Sequence, residues 1–305
     1  MHQTVLKIIF LGSGGAIPRP CRELPGVLID VYRYRILIDP SEGTVRRLES
    51  IGVSPLKLTH IMVTHLHADH VNGLPGLLAT MLMLNRVTPV TVIGPVGISD
   101  FTPTPVNSSF KINVIELKPT SEITLIESMD NLELRYVTTY HTVQNNSYLI
   151  TLRRPVGTFN PGKARELGIP VTYWRRIQMG ETITLPDGRV IEPSMVMSNV
   201  GDKSIKVVYT GDTSPGDNVV KLAKDSSILI HDSTYLPNDS NEAENRGHST
   251  CLDAALDAKE AGTKLLVLTH MSFRYGYEYY WDFLKCASDV FPRTVVAKDG
   301  MIIEI

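Results

Sequence analysis

Short apolar runs closed by turn residues alternate along the chain with stretches of helical spacing, which predicts an α/β protein. Residues 5–11 read as a strand ending in the glycine turn Gly12-Ser13-Gly14-Gly15. Residues 27–31 and 35–38 read as a hairpin joined near Tyr32-Arg33-Tyr34, and a helix is expected to start near Thr44 and cover residues 45–48. Residues 58–63 form an apolar strand pattern that ends in polar residues. Residues 72–83 pass from loop into an apolar helix, residues 90–93 read as a strand, and 94–110 as loop. Two or three strands are expected over 111–137, then one at 146–152. The second half repeats the alternation: strands at 205–209, 227–231, 265–269, 294–297 and 301–305, helices at 218–224, 250–260 and 279–287. Strand-rich halves that each carry helices fit a layered α/β sandwich.

Composition adds limits. Hydrophobic residues make 43% of the 305 positions and charged ones 20%, as in ordinary globular chains, so disorder is excluded. The formal net charge of -2 excludes a polybasic coat but leaves room for a locally basic face. One such face is expected over 151–190. There Arg153, Arg154, Lys163, Arg165, Arg175, Arg176 and Arg189 stand against Glu166, Glu181 and Asp187, a net charge of +4. No apolar run approaches the roughly 20 residues that span a bilayer, and the opening residues show no cleavage pattern, so membrane insertion and secretion are not expected. Cys21, Cys251 and Cys286 are far apart and are expected to stay unpaired, as suits a reducing compartment.

The chemistry lies in the histidines. His65-Leu66-His67-Ala68-Asp69-His70 follows directly on an apolar strand, so four metal-binding side chains share one strand-to-loop turn. His65 and His67 can point to one side of it, Asp69 and His70 to the other, so one turn can serve two metals. His60 sits inside the strand pattern and reads as structural. Asp212, in Tyr209-Thr210-Gly211-Asp212-Thr213, is a candidate bridging carboxylate, and its preceding glycine permits a tight turn. His141 and His270 also end strand patterns, the usual address for a site in an α/β layer.

These motifs resemble the metallo-β-lactamase-fold hydrolases and, within them, the ribonuclease Z family of tRNA 3′-processing endonucleases. The resemblance runs over nearly the whole chain. It rests on Phe10-Leu11-Gly12-Ser13-Gly14-Gly15 with Pro18 and Arg22, on residues 38–44, and on Thr64 to His70 with the tail Gly73-Leu74-Pro75-Gly76-Leu77-Leu78. It extends over Tyr209 to Thr213, His231-Asp232-Ser233-Thr234, His248-Ser249-Thr250 and Thr269 to Tyr275. Three places depart from the family pattern. Pro40-Ser41 stand for Cys-Gly, Asp232 stands for Glu, and residues 171–176 replace a Gly-Pro pair.

The resemblance implies a four-layer αββα sandwich forming one catalytic domain over 1–305, with two zinc ions per subunit. One would be held by His65, His67 and His141, the other by Asp69, His70 and His270, with Asp212 bridging. It implies cleavage of the 3′ trailer from precursor tRNA, with Asp69 acting on the attacking water and His248, partnered by Asp232, as proton donor. Ser272, Arg274 and Thr250 are candidates for substrate phosphate, although Arg274 also suits a surface ion pair and Thr250 a helix cap. The basic segment 151–190 corresponds to the family's projecting arm. Arg153, Arg154, Lys163, Arg165, Arg175 and Arg176 are then candidate RNA contacts, and Trp174 either stacks on bases or packs the arm's root. A cytoplasmic homodimer follows from the same resemblance; Leu74, Leu77, Leu78, Met81 and Leu82 suit either its interface or the core. Two other readings stay open: a small-substrate phosphodiesterase on the same fold, and a noncatalytic RNA-binding protein with a structural metal.

Overall fold

A computed structural model describes residues 6–20, 22–103, 108–129 and 131–305, without the side chains of 154–156 and 199–203. Two seven-stranded sheets face each other. The first runs Ile302–Glu304, Leu6–Gly12, Gly26–Val31, Tyr34–Ile38, His60–Met62, Val90–Pro95 and Ile112–Leu117. The second runs Thr294–Val296, Leu266–Thr269, Ile228–Asp232, Met197–Tyr209, Asn145–Phe159, Leu132–Thr139 and Thr124–Met129.

The strands explain the layering. Leu6, Ile8 and Phe10 point into the core between the sheets, while Ile9 and Leu11 point outward onto helices. In the second sheet Ile228 and Ile230 face the first, and Leu229 faces outward. Both pleat faces are apolar, so both must be covered, and such strands read as near-continuous hydrophobic runs. Helices Thr44–Ser50 and Gly73–Met83 cover the first sheet. Asp217–Ala223, Cys251–Ala261 and Tyr280–Ser288 cover the second. Leu74, Leu77, Leu78 and Met81 are buried in this cover, and Leu82 packs against it. Among the described residues no helix is long and apolar enough to cross a membrane.

Several expectations are corrected. Cys251 and Cys286 form a disulfide, because the helices that carry them pack together and bring their Cα atoms to 6.3 Å. Cys21 and Val5 lie outside the described residues, as do residues 104–107 of the expected loop. The strands at 146–152 and 205–209 are parts of one much longer antiparallel ladder, Asn145–Phe159 with Met197–Tyr209. The basic arm therefore begins beyond Phe159 rather than at Thr151.

At the ladder's tip, helices Pro161–Glu166 and Val171–Gln178 and the pair Ile183–Thr184/Val190–Ile191 close on a small core of their own around Ile169, Ile177 and Leu185. Trp174 packs here, with its ring 5.3 Å from that of Phe159 and its Nε1 donating to the Ile169 carbonyl at 2.9 Å. Some of the positive charge over residues 151–190 is spent internally. Arg153 pairs with Glu133, Arg176 with Glu181 and Arg189 with Asp187, each at 2.7 Å. Lys163, Arg165 and Arg175 are exposed on the two helices, and Arg165 lies over the Trp174 ring. The side chain of Arg154 is outside the described set.

Candidate metal centre

The strands of both sheets end at one edge, and their following loops supply the site. His65 and His67 leave the strand His60–Met62, and the short helix Ala68–Val71 carries Asp69 and His70. His141 follows Leu132–Thr139, Asp212 follows Met197–Tyr209, and His270 follows Leu266–Thr269. The backbone is bent to fit. His270 has φ +64, and Gly211, with φ +63, sits where a Cβ would lie 2.7 Å from Thr64. Positive φ at a nonglycine residue is costly and collects at functional sites.

The ligand atoms form two groups that meet on one carboxylate. His65, His67, His141 and Asp212 make the first, and Asp69, His70 and His270 the second. Asp212 Oδ2 faces His65 Nε2 at 3.5 Å and His141 Nε2 at 4.0 Å. Its Oδ1 faces His70 Nε2 and His270 Nε2, both at 3.3 Å. Asp69 Oδ2 lies 3.7 Å from His70 Nε2 and 3.6 Å from His270 Nε2.

The surrounding hydrogen bonds fix which ring nitrogen looks inward. His70 Nδ1 donates to Asp39 Oδ2 at 2.9 Å, and His141 Nδ1 to the Gly247 carbonyl at 2.8 Å. His65 Nδ1 meets Thr64 Oγ1 at 3.0 Å, and His270 Nδ1 meets Thr234 Oγ1 at 2.9 Å. Both hydroxyls give their own protons to carboxylates, Asp39 and Asp232, and so accept from the rings. Four imidazoles thus aim Nε2 lone pairs inward, and His67 adds Nδ1, 3.1 Å from His65 Nε2 and 3.2 Å from His141 Nε2.

Buried lone pairs facing one another at such distances need a cation. Asp212 Oδ1 is buried and makes no hydrogen bond, although two ring nitrogens stand beside it. Burial works against its charge, yet His270, His70 and His65 hold the carboxyl well below its usual range. Burial likewise opposes charge on His70, but Asp212, Asp39 and Asp69 outweigh it and raise that pKa. Burial lowers the pKa of His65, His67 and His141, which favours the neutral, ligating form. Nitrogen and oxygen donors in two groups sharing a carboxylate make this a binuclear site suited to zinc.

Beside it stands a dyad. His248 Nδ1 lies 2.8 Å from Asp232 Oδ2. Burial disfavours the imidazolium, but the Asp232 charge and hydrogen bond prevail and push the pKa up to about 9. Asp232 also gathers with Asp212, His248 and His270 as a third potential ligand group. Its oxygens, however, are already engaged. Oδ2 accepts from the Thr213 amide as well as His248, and Oδ1 accepts from the Thr234 amide and hydroxyl.

The remaining candidates fare unevenly. Ser272 is buried beside His270. Arg274 is exposed and paired with Glu242 at 2.8 Å. Thr250 takes the helix-cap role that the sequence favoured: its hydroxyl joins a capping box with Asp253 at the start of Cys251–Ala261. His60 is structural, held by Thr59 and Glu127. Asp39, Thr64 and Thr234 stand in the motifs quoted above but were given no role there; the structure shows them holding His70, His65 and His270.

Gly15 shows how tightly the second group is packed. A Cβ there would lie 2.3 Å from the His270 ring. Gly15→Ala is therefore expected to displace His270 and lower bound zinc from two to about one per chain, read by metal analysis after dialysis.

Known proteins resemble the chain in sequence and in fold. A family profile described as Anti-Pycsar protein Apyc1 matches residues 6–159. Ribonuclease Z of Methanosarcina mazei is 35% identical over 308 aligned positions, covering 99% of this chain and 98% of the relative. Ribonuclease Z of Bacillus subtilis is 33% identical over 306 positions, covering 98% and 99%. Among solved structures, the short form of human tRNase Z superposes with a TM-score of 0.69 at 25% identity, covering 97% of this chain and 98% of that one. The metallo-β-lactamase-fold protein YhfI of Bacillus subtilis, with a TM-score of 0.70 at 20% identity and 98% and 99% coverage, shares the fold.

Proposed function

The chain belongs to the ribonuclease Z family, with which it aligns from end to end, and from that premise we propose that it is a zinc-dependent endoribonuclease acting on precursor tRNA. It would cut just after the discriminator nucleotide, leaving a 3′-hydroxyl on the tRNA and a 5′-phosphate on the trailer. The observation that carries this reading is the pair of ligand groups meeting on Asp212, a hydrolytic centre in a chain of this family.

Two zinc ions in such a site polarise the phosphodiester and make a water acidic enough to attack at neutral pH. The residues do the rest. His65, His67 and His141 would hold one ion and Asp69, His70 and His270 the other, with Asp212 contributing to both. Asp69 is pinned by the Ala16 amide at 2.7 Å, orients the attacking water and takes its proton. As the bond from phosphorus to the ribose 3′-oxygen breaks, that oxygen needs a proton. His248, held by Asp232, supplies it. Ser272, beside His270, is assigned to a phosphate oxygen, and Arg274 joins it on leaving Glu242.

The arm serves tRNA recognition in the same proposal, reaching substrate on the partner subunit of a cytoplasmic homodimer. Met83 and Val87, strongly exposed beside the helix cover of the first sheet, support an apolar interface there. The alternative, a small-substrate phosphodiesterase, draws support from the ion pairs that neutralise Arg153, Arg176 and Arg189.

One comparison separates them. Lys163→Glu/Arg165→Glu/Arg175→Glu is expected to weaken precursor-tRNA cleavage about a hundredfold near 0.15 M salt, through KM, while leaving hydrolysis of a small chromogenic diester unchanged. Cleavage of precursor tRNA with mapped ends tests the activity itself. Hydrolysis of the small diester without any cut in tRNA would sink the endonuclease reading.

A further inference from the structure

The strand Ile228–Asp232 ends in two residues that face opposite ways. Asp232 turns to the centre and holds His248, while His231 points away from it onto the helix Cys251–Ala261. There its Nε2 lies 3.1 Å from Asp257 Oδ2, and its Nδ1 lies 2.8 Å from the backbone carbonyl of Asp232. Both side chains are buried. The reaction proposed above uses neither.

We propose that His231 and Asp257 are positioning residues for proton donation, holding Asp232 from behind so that its carboxylate stays aligned on His248. The proposal rests on the endonuclease reading and adds what sets the geometry of its proton donor.

The first reason is the proton count. A carbonyl and a carboxylate oxygen both accept, so a ring that serves both must donate from both nitrogens. Such a ring is an imidazolium, and Asp257 is its counter-charge. Burial opposes the charge on His231, but the hydrogen bond and charge of Asp257 outweigh it, and the Asp232 carbonyl adds to them. Apolar side chains would fill a contact between strand and helix at least as stably. A buried ion pair in that place therefore points to a task other than stability, the holding of one arrangement.

The second reason is connectivity. Each polar atom of Asp232 is engaged. Its amide donates to Thr210 Oγ1, its Oδ1 accepts from Thr234, and its Oδ2 accepts from the Thr213 amide and His248. The carbonyl is held by His231. Through Asp257 that contact reaches the helix Cys251–Ala261, which begins three residues after His248. The backbone ties the same two segments on the other side. The Tyr235 amide donates to the Ser249 carbonyl at 3.3 Å, and the Cys251 amide to the Tyr235 carbonyl at 3.0 Å. Loss of the His231 contact frees the peptide after Asp232 to rotate, which swings the carboxylate off His248. Among the described residues neither His231 nor Asp257 hydrogen-bonds a metal ligand, so the pair acts on the donor and not on the zinc ions.

The test uses the full-length, zinc-loaded protein and two precursor tRNAs. One has the ordinary scissile 3′-oxygen; the other has sulfur there, which departs without a proton. His231→Gln keeps a donor toward Asp257 and loses the one toward Asp232. It is expected to lower kcat on the oxygen substrate about 10- to 100-fold, with KM and zinc content unchanged. On the sulfur substrate it should stay within about twofold of the wild-type protein. His231→Asn places its amide where Nδ1 stood and should recover most of the loss. Asp257→Leu should lose less than His231→Gln, because the ring keeps one donor but not its anchor. In a His248→Ala background, His231→Gln should cost nothing further. Equal losses on both substrates would overturn the proposal, as would the same further loss without His248 or an unchanged kcat in His231→Gln and Asp257→Leu. If the wild-type protein cuts no precursor tRNA, the endonuclease reading falls, and proton NMR decides the pair. The low-field Nδ1 proton of His248, identified by its absence in His248→Ala, should move upfield in His231→Gln; an unmoved resonance would show that His231 does not align the dyad.

Discussion

Asp212→Ala is expected to abolish cleavage, by at least about 10⁴-fold, and to empty both metal positions rather than one. Among the described residues no other side chain faces both ligand groups. One of its oxygens faces the inward nitrogens of His65 and His141, the other those of His70 and His270. Without it the first group keeps three imidazoles with no formal charge, and the second keeps Asp69 alone to balance a dication. Asp212→Asn preserves the shape and removes the charge, so it should resemble the alanine variant in metal content. Two readouts check this: zinc per chain by elemental analysis, and the rise in melting temperature on adding zinc. Zinc binds the native state and should stabilise the wild-type protein, with no comparable rise for either variant. Loss of one zinc equivalent with the other retained at normal affinity would show that Asp212 belongs to a single group.

Four candidate ligands were legible from local spacing, whereas the full set of seven and its division into two groups came from the family resemblance. Those four share one turn, and His141, Asp212 and His270 each follow a strand pattern. What steadies the ligands was not legible. Asp39 reaches His70 across a separation of 31 residues, and Thr234 reaches His270 across 36, so neither pairing leaves a periodic trace. The disulfide was hidden in the same way, since only the packing of two helices makes Cys251 a neighbour of Cys286.

Misread elements have their own causes. The helix Ser240–Arg246 buries only Ala243, so it shows no apolar stripe. The long ladder is obscured by Pro155 and Gly157 on one strand and by Asn199, Gly201 and Asp202 on the other, residues that usually punctuate strands. In the arm, the helix Val171–Gln178 buries Ile177 alone, and its charged face suggested only a basic surface. Thr250 shows the opposite case: Asp253 three residues on already spelled a capping box, and the structure uses it as one.

His248→Ala is the second variant with a large expected effect, about 10²- to 10⁴-fold in kcat, with both zinc ions retained. Loss of rate alone would not identify a proton donor, since the ring also stacks on His270 with 5.3 Å between centroids and could support that ligand. A substrate with sulfur in place of the scissile 3′-oxygen separates the roles. A thiolate leaves without being protonated, so the variant should cut this substrate nearly as fast as the wild-type protein. A deficit of equal size on both substrates would make His248 a positioning residue. The pH profile adds an independent sign. A donor must be protonated, so activity should fall as pH rises through its pKa, which the Asp232 carboxylate holds above the ordinary histidine value. Asp232→Asn removes that charge while burial continues to press the pKa down, so the alkaline limb should move to lower pH. Oxygen-substrate activity of Asp232→Asn would then recover as the medium is made more acidic, until the metal ligands begin to protonate, and His248→Ala would show no such recovery.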